Sequence, residues 1–357
     1  MGVSAGLQDP DLCESIIREE KADVLSMARA FICDSQYGEK LYAGRGEDIR
    51  PCIRCNKCHV PNDTDKFRSY CSVNPEIGLE DKLERLFPAE TMPRKLVVVG
   101  GGPAGMVSAI TAAQAGHQVT LLEQAPVLGG QLLHADYADF KWPLEDYKNY
   151  LIRQLTKSGV TVQTGVTATP EQVKAMEPDA VFVAIGPAFK RPDIPGADGA
   201  NVKVPMEVFG HTAELPEQIV IMGGSETAVE TGIYLARNGK QVTVLSRQNM
   251  LASDAPHAHY ISMLESAYKN QTGFSWETGV REYVSIDLDG VTYIAEDGTA
   301  KKASAPLVVC STGTAPRHAD AAAFCNCAPI VRYIGDCNRA GDVHKAVAAG
   351  WSAAKML

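Results

Sequence analysis

The chain has 357 residues, of which 45% are hydrophobic, and this is enough material for two or three domains with buried cores. Its formal net charge of −9 speaks against a nucleic-acid or anionic-membrane partner, because either would require a basic surface. The sequence has no apolar run near the roughly 18–20 residues of a membrane span and no secretory signal. Ten cysteines without such a signal favour metal or redox chemistry over disulfides, so we expect a cytoplasmic protein.

The first 92 residues predict a helix, a strand and then a long polar segment. Asp9 and Pro10 open the helix, because aspartate can cap a helix and proline suits its first turn. An apolar strand is expected near residues 22–28. Residues 34–92 are polar and cysteine-bearing, and we expect them to be mostly irregular, with one helix around residues 80–87.

Four cysteines in this polar segment have the spacing of a metal site. They follow the pattern Cys52-x2-Cys55-x2-Cys58-x12-Cys71, with three thiols on one loop and a fourth returning to it. Four thiolates can bind a tetrahedral zinc ion or a 4Fe–4S cluster. Zinc ribbons usually use two cysteine pairs, so this spacing favours the cluster over zinc and over unligated thiols. The other cysteines are interpreted as buried or incidental thiols: Cys13, Cys33, Cys310, Cys325, Cys327 and Cys337.

A dinucleotide-binding unit is predicted by the stretch "KLVVVGGGPAGMVSAITAAQAGHQVTLLEQ". Gly100, Gly102 and Gly105 form G-x-G-x-x-G between a buried strand and a helix of small residues. The first glycine permits the tight turn, the second lets the backbone approach a pyrophosphate, and the third lets helix and strand pack closely. The amides and dipole at the helix start favour phosphates. Glu123 ends the next strand, where a carboxylate can accept hydrogen bonds from ribose hydroxyls.

A second unit of the same kind follows in "EQIVIMGGSETAVETGIYLARNGKQVTVLSRQ". Its turn has changed to Gly223-x-Ser225-x-x-Ala228, with serine where the backbone should approach the pyrophosphate. Ser246 and Arg247 stand where an NAD site would carry an acid, and this favours NADPH over NADH because arginine suits a 2′-phosphate. A vestigial domain that keeps the fold but binds nicotinamide dinucleotide poorly is the alternative.

Four further stretches resemble the FAD-binding domain of two-dinucleotide flavoproteins of the disulfide-reductase-like class. "APVLGGQL", with Gly130 and Gln131, resembles the turn that wraps the flavin side of the cofactor. "VFVAIG" and "VVCSTG", ending at Gly186 and Gly313, resemble the strand-to-turn motifs of that class. "IGDC" resembles its terminal motif, in which Asp336 would hydrogen-bond the ribityl chain. The resemblance implies FAD at the first dinucleotide site.

The segments "KADVLSMARAFICD", "GRGEDIRPCIRCNKCH" and "CSVNPEIG" ahead of this FAD domain resemble the 2-enoate reductase and 2,4-dienoyl-CoA reductase family. That family joins an FMN-bearing β/α barrel of the old yellow enzyme type to a 4Fe–4S cluster and an FAD/NAD(P)H domain. Relatives often have the spacing C-x2-C-x3-C-x11-C, and strict alignment would make His59 rather than Cys58 the third ligand. We prefer Cys58, because thiolate is the usual ligand.

The resemblance implies that only the end of the barrel is encoded in this chain. "GVSAGLQ" resembles the seventh barrel strand and "ADVLSMAR" the eighth, with Arg29 where relatives hold the FMN phosphate. Two strands cannot close a barrel, so we expect a truncated piece or a split-gene subunit. Arg29 should bind no FMN unless a separate barrel chain supplies the other strands. The orphan segment should leave apolar surface exposed and promote association.

The expected fold is α/β, with two Rossmann-like domains preceded by a truncated β/α-barrel tail and an iron–sulfur loop. The expected barrel remnant is 1–48 and the iron–sulfur segment is 49–92. The FAD-binding domain is expected to comprise 93–205 and 305–357, and the NAD(P)H-binding domain 206–304.

The expected function is that of an electron-input module. A hydride from NADPH or NADH would reduce FAD, and single electrons would continue to the cluster and, in intact relatives, to the C=C bond of an enoate or enoyl-CoA. No side chain of this chain is expected to act as a catalytic acid or nucleophile. The alternatives are a free-standing NAD(P)H:acceptor reductase and a non-catalytic subunit that holds FAD or ADP. The sequence does not encode the substrate pocket.

Overall fold

The computed structural model describes residues 1–4, 6–59, 70–87, 92–135, 137–255 and 258–357. The chain divides into two compact units, each built from segments that are separate in sequence. The first unit comprises Met1–Leu133, Trp142–Pro187 and Pro316–Leu357. The second unit comprises His134–Lys141 and Ala188–Ala315.

The helices and strands are numbered here in chain order. The helices are α1 (Pro10–Arg18), α2 (Ala28–Cys33), α3 (Tyr37–Tyr42), α4 (Leu83–Leu86), α5 (Pro103–Gln114), α6 (Leu132–Ala135), α7 (Trp142–Lys157), α8 (Pro170–Ala175), α9 (Glu226–Arg237), α10 (Ala258–Lys269), α11 (His318–Ala322) and α12 (Val343–Lys355). The strands are β1 (Gly2–Ser4), β2 (Val24–Ser26), β3 (Lys95–Val99), β4 (Gln118–Glu123), β5 (Thr161–Thr164), β6 (Ala180–Val183), β7 (Ala188–Phe189), β8 (Val202–Lys203), β9 (Gln218–Met222), β10 (Gln241–Leu245), β11 (Phe274–Glu277), β12 (Glu282–Asp287), β13 (Gly290–Ile294), β14 (Ala300–Ser304), β15 (Leu307–Cys310), β16 (Thr314–Ala315) and β17 (Ile330–Tyr333). In the part of the chain that is described, no helix is both long and apolar enough to span a membrane.

The core of the first unit is a parallel sheet with the strand order β17-β6-β3-β4-β5. Strand β3 is apolar from Leu96 to Val99 and is buried on both faces, as expected of a central strand covered by helices. Helix α5 packs against α12, and both helices are rich in small residues. A Cβ on Gly350 would lie closer than 3.0 Å to the Ala104 carbonyl oxygen, so a glycine is required where the two helices touch.

The N-terminal part of the first unit is a short strand–helix–strand element. Strands β1 and β2 pair in parallel, and α1 connects them. As predicted, Asp9 caps α1: its Oδ1 accepts a hydrogen bond from the Asp11 amide at 2.9 Å. Apolar side chains of this element are exposed, including Leu12 and Val24 at 47% and 62%. The expected exposed apolar surface is therefore present.

The second unit has its own parallel sheet, with the order β11-β10-β9-β15-β8. The antiparallel strands β12, β13 and β14 and the short pair β7–β16 complete its described β-structure. Its largest hydrophobic cluster joins strand residues such as Ile219 and Ile221 to the buried face of α9, including Ile233 and Leu235.

The predicted boundary at residues 304/305 differs from the structure. Strand β15 was expected in the FAD-binding domain, but it pairs with β9 in the sheet of the second unit. The second unit also begins earlier than expected, at Ala188, and includes the separate segment His134–Lys141. The sequence "LVVC" is an apolar strand that suits either parallel sheet, so its strand partner could not be read from its composition.

Candidate dinucleotide sites and cysteine pocket

The first glycine turn lies between β3 and α5, in the first unit. Gly100 has φ +110°, a conformation that favours glycine, and a Cβ there would lie closer than 3.0 Å to the Ala184 carbonyl oxygen. A Cβ on Gly105 would similarly collide with the Gly100 carbonyl oxygen. The two positions therefore have no room for a side chain, as the motif predicts.

Glu123 lies at the end of β4, directly behind this turn. It is buried, and its Oε2 accepts a hydrogen bond from the Gly101 amide at 2.5 Å. Its Oε1 accepts a hydrogen bond from the Ala125 amide at 2.7 Å. A carboxylate has about four acceptor positions, so Glu123 retains capacity for a ribose hydroxyl while it supports the turn.

A second glycine turn of the first unit is pressed against the first. Gly130 has φ +53°, and a Cβ there would lie 2.8 Å from Gly102 Cα. The next residue, Gln131, donates from Nε2 to Asp336 Oδ2 at 3.5 Å. The predicted residues Gly102, Gly130, Gln131 and Asp336 therefore come together, although they are far apart in sequence.

Asp336 has a carboxylate oxygen that lacks a hydrogen-bond partner in the described part of this site. Its Oδ1 is buried and has no hydrogen-bond partner among the described residues. Burial raises the pKa of its carboxyl group. A buried acceptor without a donor is costly, so a ligand hydroxyl is the missing partner that would fit. This observation fits the ribityl chain of FAD.

The two strand-to-turn motifs have equivalent positions in the two units. The Ala184 amide donates to the Val99 carbonyl at 2.8 Å, and the Ser311 amide donates to the Met222 carbonyl at 2.8 Å. Gly186 and Gly313 follow them, with φ +70° and +97°. Gly186 therefore lies beside the first glycine turn, whereas Gly313 belongs to the second unit.

The altered turn of the second unit keeps the backbone of the first. Gly223 has φ +115°, and a Cβ there would lie closer than 3.0 Å to the Ser311 carbonyl oxygen. Ser225 takes the helix-capping position that Gly102 has in the first unit, and its Oγ accepts a hydrogen bond from the Ala228 amide at 3.4 Å. Ala228 is fully buried. The serine therefore caps α9 without changing the course of the chain.

Ser246 occupies the position of Glu123. The Gly223 amide donates to the carbonyl that precedes Ser246, as the Gly100 amide does to the carbonyl that precedes Glu123. Ser246 is fully buried, and a Cβ on Gly224 would lie closer than 3.0 Å to its Oγ. The next residue, Arg247, is exposed.

A buried charge cluster at the start of α9 was missed by sequence reasoning. Lys141 Nζ contacts Glu230 Oε1 at 2.5 Å and Glu226 Oε1 at 3.2 Å, and the Tyr260 hydroxyl donates to Glu230. Burial raises the pKa of Glu230 to about 7. Glu226 and Glu230 are like charges four residues apart, and this pattern on an apolar helix was the available signal for a cationic partner.

The four predicted cysteines line one pocket in the first unit. Arg54 and Asn56, which lie in the loop that carries the first three cysteines, both have φ +54°. This left-handed conformation is rare for residues with a side chain. His59 does not line this pocket. Other residues on its wall come from α2 and from the segment after Cys71. The lining residues are Arg29, Ile32, Cys52, Ile53, Cys55, Asn56, Cys58, Cys71, Ser72 and Val73.

The described residues show no formed metal site, since they contain no group of three or more His, Cys, Asp or Glu that could hold a metal ion. Cys52, Cys55, Cys58 and Cys71 nevertheless line one pocket. The structure therefore brings the four predicted cysteines together without showing a metal or cluster site.

Cys71 has an environment suited to a thiolate. A hydrogen bond from the Cys33 thiol, the backbone amides of Val73 and Asn74, and the charge of Arg50 lower the pKa of Cys71 to about 6, against the effect of burial. Cys33, interpreted from sequence as a buried or incidental thiol, is fully buried at the end of α2. Its proximity to Cys71 depends on tertiary contacts that no local motif reveals.

The cysteine loop is attached to α12, the helix that follows Asp336. Lys57 forms an ion pair with Asp342, which caps α12. The ring of His344 lies with Nδ1 3.3 Å from the Cys71 carbonyl oxygen. These contacts hold the pocket against the helix that begins a few residues after the predicted flavin ligand.

Arg29 lies on the wall of the cysteine pocket. Its Nη1 donates to Asn56 Oδ1 at 2.6 Å, so it also braces the loop between the cysteines. The resemblance places this arginine at an FMN phosphate in intact relatives. In this chain its described polar contact is to the cysteine loop.

Residues 94–350 match the family described as pyridine nucleotide-disulphide oxidoreductase. The chain is 34% identical over 357 residues to an NADH oxidase of Thermoanaerobacter brockii, covering 98% of the chain and 54% of the relative. It is 28% identical over 359 residues to a cinnamate reductase of Clostridium sporogenes, covering 99% of the chain and 53% of the relative. These similarities confirm the expected resemblance to the enoate reductase group.

A solved structure of a 2-naphthoyl-CoA reductase with 2-naphthoyl-CoA is similar along the whole chain. The TM-score is 0.92 and the identity is 28%, with 100% of this chain and 54% of that chain covered. The chain therefore spans about half the length of the relatives that it matches.

Proposed function

The chain belongs to the pyridine nucleotide-disulphide oxidoreductase family, and from this premise we propose that it is the electron-input module of a flavin and iron–sulfur reductase. In this proposal the second unit binds NADPH or NADH, the first unit binds FAD, and the cysteine pocket holds a 4Fe–4S cluster. The flavin would accept a hydride from the nicotinamide and release its electrons one at a time to the cluster.

One observation carries the proposal. The four cysteines share a pocket, and this pocket is joined through the Lys57–Asp342 ion pair to the helix that follows Asp336. The residue proposed to bind the flavin and the residues proposed to bind the cluster therefore lie on neighbouring segments of one unit. Electron transfer between the two groups requires such proximity.

The roles of the protein side chains are to bind and orient. The amides of the Gly100–Gly105 turn would bind a pyrophosphate, and the buried Asp336 Oδ1, which has no partner among the described residues, would accept a hydrogen bond from a ribityl hydroxyl. Arg247 is exposed at the end of β10, where it could pair with a 2′-phosphate, and this supports NADPH over NADH. We assign no side chain as a catalytic acid or base.

Cysteine spacing supports a cluster rather than zinc, because zinc ribbons usually use two cysteine pairs, whereas three close cysteines and a distant fourth suit a 4Fe–4S cluster. The four cysteines line one pocket, although the described residues contain no group of three or more ligands that could hold a metal ion. Cys58, which lines the pocket, is the proposed third ligand in place of His59.

The substrate of the whole protein is proposed from its relatives. The similar cinnamate and 2-naphthoyl-CoA reductases act on conjugated carboxylates or their thioesters, and the chain spans only about half their length. We propose that β1, α1 and β2 are the end of an FMN-bearing β/α barrel. Arg29 would then contact FMN phosphate only when the remaining strands are present. The resulting activity would be reduction of an enoate or enoyl-CoA C=C bond.

An anaerobic absorbance titration tests this proposal. The purified chain is loaded with FAD, iron and sulfide and titrated with NADPH and NADH, while iron and sulfide are quantified on the same sample. We expect flavin bleaching followed by loss of the cluster absorbance, with tighter binding of NADPH. Zinc in place of iron, or bleaching without any cluster reduction, would contradict the proposed electron route.

A second candidate is a free-standing NAD(P)H:acceptor reductase. The 34% identity to an NADH oxidase favours this candidate, because such an activity needs no enoate pocket. Steady-state reduction of a quinone or dye by the chain alone, without a barrel protein, would support it over the input module.

A further inference from the structure

We propose that Arg50 places a fixed positive charge against the cysteine-bound cluster, favouring both its retention and its reduced state. This inference rests on the proposed function, since it assumes that Cys52, Cys55, Cys58 and Cys71 hold a 4Fe–4S cluster. It assigns Arg50 a positioning and tuning role, not a catalytic one.

Arg50 is two residues before Cys52, and its half-buried side chain contacts the C-terminal end of α2. Its Nη1 donates to the Cys33 carbonyl oxygen at 3.4 Å, and its backbone amide donates to Asp34 Oδ2 at 2.8 Å. The hydroxyl of Tyr150 is a further hydrogen-bond partner of the guanidinium, and Tyr150 is buried. The guanidinium is therefore held in one place.

The segment that carries Cys71 lies against the same helix end. The Asn74 side-chain amide donates to the Ile32 carbonyl at 2.9 Å, and Ile32 and Val73 both line the cysteine pocket. Arg50 contacts the next residue of that helix, Cys33. The guanidinium and the segment that carries Cys71 therefore both contact the C-terminal end of α2.

Arg50 has no anionic partner in the described structure. Asp34, which accepts a hydrogen bond from the Arg50 backbone amide, forms its ion pair with Lys40 Nζ at 2.6 Å. Within the described residues, no carboxylate lies within ion-pair distance of the Arg50 guanidinium. A half-buried cation without a counter-charge is stabilised when an anion is placed close to it. A cysteinate-ligated cluster beside Cys71 is an anion of the required kind.

The positive charge of Arg50 would affect the reduction equilibrium of the proposed cluster as well as its retention by the protein. Each electron that the cluster accepts adds one negative charge, so a fixed cation nearby stabilises the reduced state more than the oxidised state. One unit charge about 10 Å away, at an effective dielectric constant of about 20, changes such an equilibrium by about tenfold. The contact with the buried Tyr150 reduces the screening of this charge by mobile ions.

Potentiometric titration of the cluster, followed by its electron paramagnetic resonance signal, tests the proposal in the full chain. Arg50→Gln replaces the charged side chain with a neutral polar one, and Arg50→Met replaces it with an apolar one. Arg50→Lys retains the positive charge. The control is Arg45→Gln, which removes the same charge from a side chain of the same segment that is 55% exposed. Iron, sulfide and FAD contents are measured for every protein.

We expect Arg50→Gln and Arg50→Met to disfavour reduction about tenfold, which is about 59 mV more negative for a one-electron couple. Arg50→Lys and Arg45→Gln should stay near the wild-type potential. Loss of the cluster from both neutral variants, with retention in Arg50→Lys, would also support the charge role. Unchanged potentials in the neutral variants, or an equal shift in Arg50→Lys, would overturn it.

The same samples separate this inference from the proposed function. A wild-type chain that holds iron and sulfide and shows a reducible cluster leaves the electron-input module standing even if Arg50 has no effect. A wild-type chain that binds no iron and sulfide overturns both.

Discussion

At the scale of single residues, the two dinucleotide turns differ in the room that they leave for a methyl group at the third motif position. In the first unit, a Cβ at Gly105 would collide with the Gly100 carbonyl oxygen, whereas the second unit accepts Ala228 at the equivalent position. The tolerance for alanine is therefore a property of each turn and its helix spacing, and the motif alone does not determine it.

Gly105→Ala should lower both stability and FAD content. The new methyl group would meet a backbone oxygen that cannot rotate away, and such overpacking typically costs about 1–3 kcal/mol of unfolding free energy. The measurement is urea unfolding together with flavin absorbance of the purified protein. Gly38→Ala is the matched control, because a Cβ at that helical position meets no atom within 4 Å. Equal behaviour of the two variants would contradict the argument.

Arg247→Ala should weaken NADPH binding about tenfold or more and leave NADH binding nearly unchanged. A charge-assisted hydrogen bond to the 2′-phosphate is worth about 1.5–3 kcal/mol, and NADH lacks that phosphate. Dissociation constants from quenching of flavin-site or protein fluorescence would measure the effect. Arg281→Ala removes another exposed arginine of the second unit and serves as the control. A parallel loss for both nucleotides would assign Arg247 a structural role.

At the scale of elements, the strands and helices of the two dinucleotide units were predictable, whereas their polar contacts were not. Apolar runs such as Leu96–Val99 and the glycine turns behind them are local signals, and both elements form as expected. Lys141, Glu226 and Glu230 meet only because separate segments fold together. The spacing of the two glutamates indicates a cationic partner but does not identify it as Lys141, because that contact depends on the tertiary fold.

This cluster on α9 makes the stability of the second unit depend on pH. The pKa of Glu230 rises from an ordinary value of 4.5 to about 7 in the folded state, so the folded protein holds this proton more tightly than the unfolded chain. The resulting stabilisation is fully present below about pH 4.5 and is lost as the pH rises through about 7.

Glu230→Gln removes this titration, because glutamine does not ionise. Its amide keeps the shape of a protonated carboxyl group. We expect the unfolding free energy of the variant minus that of wild type to be larger at pH 8 than at pH 5, so that the variant is relatively more stable at pH 8. Denaturant unfolding at the two pH values measures the difference. Glu265→Gln, at an exposed ion pair with Lys269, is the control and should show little change. A difference between Glu230→Gln and wild type that is the same at both pH values would show that Glu230 does not titrate in this range.

At the scale of the whole molecule, the sequence predicts the kinds of domain better than their extents. Two dinucleotide turns imply two units, and the structure has two. The assignment of β15 and of the segment His134–Lys141 to the second unit was not predictable, because neither segment carries a motif that identifies the sheet or helix it packs against. The cysteine spacing predicted a shared site, but its attachment to α12 arises from long-range contacts such as that between Cys71 and His344.

The N-terminal strand–helix–strand element leads to a prediction about association. Val24 and Leu12 are 62% and 47% exposed on an element whose strands have no further described neighbours in their sheet. Paired exposed apolar side chains on a short two-stranded edge favour contact with another surface, and burying them would remove apolar area from water. We therefore expect the isolated chain to associate as its concentration rises.

Val24→Lys combined with Leu12→Lys should reduce this association without loss of FAD or of helical content. Sedimentation velocity at low and high micromolar concentrations would detect the change. Leu288→Lys is the matched control, because Leu288 is 75% exposed but lies in the β12–β13 turn of the second unit. A wild-type chain that remains monomeric over this range would show that the exposed element does not promote self-association. Association that persists in the double variant would place the contact elsewhere.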